Sequence, residues 1–241
     1  MSGAFNTISD DNVLNAVEKG QDLSVSGTSA NLAEGTVVTV TLNGKNFTAT
    51  TAADGTWSLT VPAADLAGLG QANYTLNATA TNGVGNSVSN TANLLVDTAL
   101  PTVTINTVAG DNVINSSEHA QAQVISGTVS GVEAGSVVIV TINNVDYRTV
   151  SDASGNWSVT VPASAVSALG EAHYTVTASV TDSVGNSASA SHDVLVDSSL
   201  PVVTINTLAG DNIVNAAEVA AGQTLTGKVT NAAPGDTVTI T

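Results

Sequence analysis

Across the second hundred residues, apolar and polar side chains alternate with a period of two in seven short runs: 103–107, 123–129, 136–142, 145–150, 156–161, 172–181 and 187–196. A period of two sends successive side chains to opposite faces of an extended chain, so each run predicts a half-buried β-strand. Clusters of Gly, Asn, Asp and Ser interrupt the runs every 8 to 12 residues or so, the rhythm of an all-β sandwich. Asn43-Gly44, between two alternating runs, predicts a type I′ hairpin, because both central residues of that turn need positive φ. Only 162–170 reads as a helix-like connection. The fold class is all-β.

The pattern repeats. Pro101 to Asn115 reads PTVTINTVAGDNVIN and Pro201 to Asn215 reads PVVTINTLAGDNIVN, one hundred positions later and without a gap. The same offset carries Asp11-Asn12-Val13 onto Asp111-Asn112-Val113, Trp57 onto Trp157, Tyr74 onto Tyr174, and Val96-Asp97 onto Val196-Asp197. Self-similarity at a fixed period marks an array of equivalent units. Seven strands per period predict tandem immunoglobulin-like Greek-key β-sandwiches of about 100 residues each. The expected units are 1–99, with a truncated N-terminal edge, a complete 100–199, and 200–241, which holds only the first three strands. Both ends are expected to be cuts in a longer protein. Trp157 and Tyr174 recur in the neighbouring unit and lie in strands, so they are expected to anchor the core, Tyr174 as a tyrosine corner.

Composition narrows the chemistry. Hydrophobic residues make up 42% of the chain but aromatics only 3%, so the cores must be built from Val, Ile, Leu and Ala. Twenty Asp and Glu against four Lys and Arg give a net charge of −16, which argues against nucleic acid or an anionic membrane and makes a cation the natural partner. With no cysteine there is no disulfide framework and no thiolate metal site. No apolar run reaches the ~18 residues of a membrane helix, and the N-terminus carries no signal peptide, so export is expected to use a signal outside this segment.

Four motifs carry a resemblance: the V-D-x-x-x-P junctions (Val96 to Pro101, Val196 to Pro201), the G-D-N-x-x-N-x-x-E loops, the G-x-W turns, and T-D-x-x-G-N at Thr181 to Asn186. Together they resemble the bacterial immunoglobulin-like extender repeats of giant calcium-dependent RTX-type adhesins of Gram-negative bacteria. The resemblance spans nearly the whole chain. It implies type I secretion, display at the cell surface, attachment or biofilm formation, and calcium held at the junctions between repeats.

Strand parity says where those junctions lie. In a seven-stranded sandwich the first, third and fifth loops share a pole with the end of the last strand, and the even loops share the other. Asp11, Asn15 and Glu18 are therefore expected beside Asp97, where the next repeat would bring Asp182 and Asn186, Asp152, and Glu133. A second junction would supply Asp111, Asn115, Glu118 and Asp197. Carboxylates gathered so closely repel one another unless a hard divalent cation takes six to eight of their oxygens. Calcium suits such a set. Magnesium wants stricter octahedral geometry, and zinc wants His or Cys. The first repeat departs from the pattern with Asn82 where the second has Asp182. A cation shared across each junction would lock the hinge and turn a string into a semi-rigid rod, each unit advancing it by roughly 35 to 45 Å.

Catalysis finds no support. His119, His173 and His192 align with Lys19, Asn73 and Ala92, so no histidine belongs to the repeated unit. The chain is expected to be no enzyme. A glycan-binding or homophilic Ig-like module, or an accessory module of a secreted enzyme, is the alternative, but near-equivalence of the units and the lack of an aromatic platform favour a spacer. Strands left unpaired in the third unit would be open to strand exchange.

Overall fold

The computed structural model describes residues 2–241 and is nearly all β. The chain forms two compact units, Met1–Asn106 with Ser126–Val159 and Val176–His192, and Thr107–Ile125 with Thr160–Thr175 and Asp193–Thr241. The middle hundred residues therefore contribute to both.

The first repeat runs β1 (Ser2–Phe5), β2 (Val13–Leu14), β3 (Leu23–Ala30), β4 (Val37–Leu42), β5 (Lys45–Thr50), β6 (Thr56–Val61), α1 (Ala63–Leu66), β7 (Ala72–Thr81) and β8 (Ser87–Val96). Its two sheets have the orders β1-β3-β6 and β2-β8-β7-β4-β5. The alternation does what it predicts. Val38, Val40 and Leu42 point inward from β4, and Leu23 and Val25 from β3 meet Leu76 of β7 and Leu94 of β8 in one apolar core. Each such aliphatic side chain stabilises the fold by about 1.5–3 kcal/mol when fully buried. Asn43 and Gly44 have φ of 48° and 78°, the left-handed pair that a type I′ turn demands, and so set the register Leu42↔Lys45.

The second repeat runs β9 (Thr102–Val103), β10 (Val113–Asn115), β11 (Gln123–Ser130), β12 (Val137–Ile142), β13 (Val145–Val150), β14 (Asn156–Val161), α2 (Ala163–Val166), β15 (Ala172–Thr181) and β16 (Ser187–Asp197). Its sheets, β14-β11-β9 and β10-β16-β15-β12-β13, repeat the first pair. All seven predicted strands are present, the first of them shorter than the alternation implies. Trp57 and Trp157 are buried at 5% and 3% exposure. Tyr74 and Tyr174 each accept a hydrogen bond from the N–H of Gly70 or Gly170 four residues upstream, which is the tyrosine corner.

Three features go beyond the periodicity. The short strands β2 and β10 pair in parallel with β8 and β16, and two or three residues are too few to show alternation. A 3-10 turn follows at Glu18–Gly20 in the first repeat, and the equivalent stretch of the third repeat forms α3 (Ala216–Ala221). That difference follows composition: AAEVAA is rich in alanine, the best helix former, whereas Gly20 ends the turn in the first repeat. In the third repeat β17 (Val202–Ile205) pairs with β18 (Gly227–Thr230), but 237–241 is not a strand. Its counterpart β12 is held between β13 and β15.

Candidate functional site

The D-N-x-x-N-x-x-E loop makes the same hydrogen bonds in all three repeats. Asp11 Oδ1 accepts from Val13 N–H at 2.8 Å, while Asn12, at φ 68°, accepts from Ile8 N–H at 3.0 Å. Asn15 then caps the following turn: its Oδ1 accepts from Val17 and Glu18 N–H at 3.0 Å, and Glu18 Oε2 accepts from Asn15 N–H at 3.0 Å. This reciprocal pair is a capping box. Asp111, Asn112, Asn115 and Glu118 repeat it, as do Asp211, Asn212, Asn215 and Glu218. The sequence reading passed over that role, although N-x-x-E ahead of a turn is its signature.

The capped loop leads β2 alongside β8. Leu95 N–H donates to Asn12 O at 3.0 Å and Asp97 N–H to Leu14 O at 3.1 Å, so Asn15 and Asp97 end up beside each other. Asp97 Oδ1 accepts from Ala99 N–H at 3.1 Å and bends the chain into the linker. The 182–186 loop of the second repeat belongs to the same compact unit and meets this point. Asn186 Oδ1 accepts from Ala16 N–H at 2.7 Å, and Asn186 Nδ2 donates to Asp97 O at 3.0 Å and to Asp182 Oδ2 at 3.1 Å. Asp182 Oδ1 accepts from the N–H groups of Val184 and Asn186 at 3.0 and 2.8 Å.

Burial shows what the junction does. Asn186 is 1% exposed and Val184 half-buried, whereas in the equivalent loop of the first repeat Val84 is 82% exposed and Asn86 is exposed too. Gly185 fits against Asn15, whose Nδ2 would stand 3.1 Å from a Cβ placed there. Gly131 packs on the linker, 3.2 Å separating Pro101 Cα from the position of its missing Cβ.

Of the predicted site residues, the structure thus brings Asn15, Asp97, Asp182 and Asn186 together. Asp11 and Glu18 belong to the same capped loop. The hydrogen bonds of Asp152 and Glu133 stay within the second repeat: Asp152 accepts from Ser154 and Asn156 N–H at 2.8 Å, and Glu133 O accepts from Ser136 N–H at 3.1 Å and from the Ser151 hydroxyl at 3.4 Å. The Asn156 and Ser154 donors hold the Asp152 carboxyl below its ordinary range, and Thr56 does the same for Asp54. Around Asp111, Asn115, Glu118 and Asp197 the contacts are local, Asp197 Oδ1 accepting from Ser199 N–H at 3.3 Å. Among the described residues no group of three or more His, Cys, Asp or Glu stands close enough to hold a metal ion. The donors are all oxygen, which suits a hard cation, but the carboxylates of Asp11, Glu18, Asp97, Asp111, Glu118, Asp152, Asp182 and Asp197 each already accept a main-chain N–H.

Residues 100–198 match the bacterial Ig-like domain family. A Ca2+-stabilized adhesin with which an Antarctic bacterium reaches out and binds ice is 34% identical, with 95% of this chain and 57% of that one aligned at a TM-score of 0.55. A 1.5-MDa bacterial ice-binding adhesin, described for its retention at the host cell surface, is 29% identical over 96% of this chain and 77% of that one, at 0.51. A single bacterial Ig-like domain from the M. primoryensis ice-binding adhesin is 35% identical over 40% of this chain and 96% of that one, at 0.32. Residues 100–198 belong to the bacterial Ig-like domain family. Among curated proteins none matches the sequence of the chain.

The Ig-like chain spans 57% of the first of these structures. Its family is one of adhesin domains rather than of enzymes. Two of the three histidines have structural partners: His119 Nε2 meets Leu169 O at 2.9 Å, where Lys19 of the first repeat reaches Leu69 O, and His173 pairs with Asp193 at 2.7 Å on the surface. No described helix of the Ig-like chain is long and apolar enough to cross a membrane.

Proposed function

We propose that this chain is an extender segment in the stalk of a secreted, cell-surface bacterial adhesin, divided into repeats at 1–99, 100–199 and 200–241. The segment would hold a distal binding domain away from the cell, for attachment and biofilm formation. The observation that carries this reading is the built contact between successive repeats: Asn186 sealed against Ala16 and Asp97, in a loop that is open to solvent in the first repeat. A repeat whose loops are shaped for the neighbouring repeat, rather than for a ligand, is a spacer.

Calcium fits the same reading. The relative stabilised by Ca2+ is 34% identical, and the junction offers Asp11, Asn15, Glu18, Asp97 and Asp182 as hard oxygen donors. Asp152 and Glu133 lie on loops of the same repeat as Asp182, and Asp111, Asn115, Glu118 and Asp197 provide the equivalent loop and strand end one repeat later. A cation held there would neutralise carboxylates of the junction and stiffen the linker.

Thermal unfolding and small-angle scattering of the chain, each with millimolar calcium and with chelator, test the proposal. Calcium is expected to raise Tm and lengthen the particle, and Asp97→Ala to remove both responses. Equal curves in both buffers would dismiss the cation.

A further inference from the structure

We infer that Asn186 couples the two repeats directly, its carboxamide standing in for a peptide unit at the end of the β2–β8 ladder of the repeat before it. In the first repeat that parallel ladder pairs Val13↔Leu95 and Leu14↔Val96 and stops. In the second repeat the equivalent ladder runs one pair further, to Asn115↔Asp197. At the place of the missing pair sits Asn186, taking Ala16 N–H on Oδ1 at 2.7 Å and giving Nδ2–H to Asp97 O at 3.0 Å. A carboxamide carries the same donor and acceptor as a main-chain amide, so the insertion leaves neither strand with an unmet group. Its orientation is set by its partners, because an N–H can only donate and a C=O can only accept. Asp182 Oδ2 holds the second Nδ2 hydrogen at 3.1 Å, which aims the carboxamide before the neighbour arrives.

The partner this loop recognises is therefore defined by main-chain chemistry: a repeat whose parallel ladder ends in an adjacent N–H and C=O. Side-chain identity at Ala16 matters little. Every bond of the coupling is made between protein groups, so it operates without metal. It concerns the junction on which the proposed function rests but does not need the calcium part of that reading.

The test is amide hydrogen exchange on the full chain in EDTA, comparing the native protein, Asn186→Ala and Asn86→Ala. Losing one buried acceptor is expected to speed exchange at the Ala16 amide by about tenfold in Asn186→Ala. Asn86→Ala, the same loop without a neighbour, is expected to leave Ala16 unchanged. Amides of the β7–β8 ladder report whether each variant is folded, and should match the native protein in both. Unchanged Ala16 exchange in folded Asn186→Ala overturns the inference, as does a change seen only when calcium is present, which would make Asn186 a ligand. If calcium shifts Tm in neither the native protein nor Asn186→Ala while Ala16 exchange still rises, the cation reading falls and the coupling stands.

Discussion

Replacing Gly127 by alanine puts a methyl group where a backbone and an indole already meet. A Cβ there would stand 1.9 Å from Thr104 O, 2.8 Å from Thr104 C and 2.6 Å from Trp157 Cζ2. The same squeeze holds at Gly27, 2.2 Å from Ala4 O and 2.4 Å from Trp57 Cζ2, and at Gly227, 2.2 Å from Thr204 O. An indole can tilt, but a carbonyl in a paired strand cannot turn away without breaking its ladder. Overpacking of this kind costs about 1–3 kcal/mol. Pushing the strand back also strains the Thr104 N–H to Thr128 O and Asn106 N–H to Ser126 O bonds, both 2.8 Å, each contributing about 1 kcal/mol. Alanine recovers about 0.5–1 kcal/mol over glycine in a strand. The net loss is about 3 kcal/mol, a large share of the 5–15 kcal/mol typical of a domain.

Urea unfolding followed by tryptophan fluorescence reads this out, because Trp57 and Trp157 are the only two indoles and each reports one repeat. In a Trp57→Phe background the second repeat is seen alone. With a slope of about 1.5 kcal/mol/M, Gly127→Ala should lower the midpoint by about 2 M. Adding Trp157→Phe relieves the indole contact but not the Thr104 oxygen, so it is expected to restore less than half. A shift below about 0.3 M, or full rescue by the smaller ring, would refute the argument that backbone approach demands glycine here.

Two further outcomes are expected. Asp152 is held below its ordinary pKa by Asn156 and Ser154, so its contribution to stability is present above the unfolded value of about 3.9 and is lost as pH falls through the lower folded value. The midpoint difference between native protein and Asp152→Ala, measured from pH 7 downward, should hold steady and then shrink below about pH 4; a gap that widens in acid would contradict the assignment. Tyr174→Phe deletes the acceptor of Gly170 N–H at 3.0 Å and should cost about 1 kcal/mol in the same urea assay, with no loss meaning the corner is idle.

Much of this protein was legible in the chain because the signals involved are local. Alternation in 123–130 or 172–181 needs only neighbouring residues to declare a strand, and Asn43-Gly44 declares its turn through two positive φ angles. The ungapped hundred-residue offset likewise made Trp157 and Tyr174 recognisable as framework before any contact was known. The N-x-x-E capping box was equally local and could have been found. What only the tertiary structure decided depends on residues far apart. β2 becomes a strand because β8 lies beside it some eighty positions later, and a two-residue segment has no periodicity of its own with which to announce that. Asn186 and Ala16 are 170 residues apart, and the two differences between the loops, Asp182 and Ser183 where the first repeat has Asn82 and Gly83, do not say that the copy at Asn186 is buried and its counterpart at Asn86 exposed. The fate of the acidic residues was undetermined for the same reason. An Asp in a turn and an Asp at a shared junction look alike along the chain, and only the loop that packs against Asp97 tells them apart.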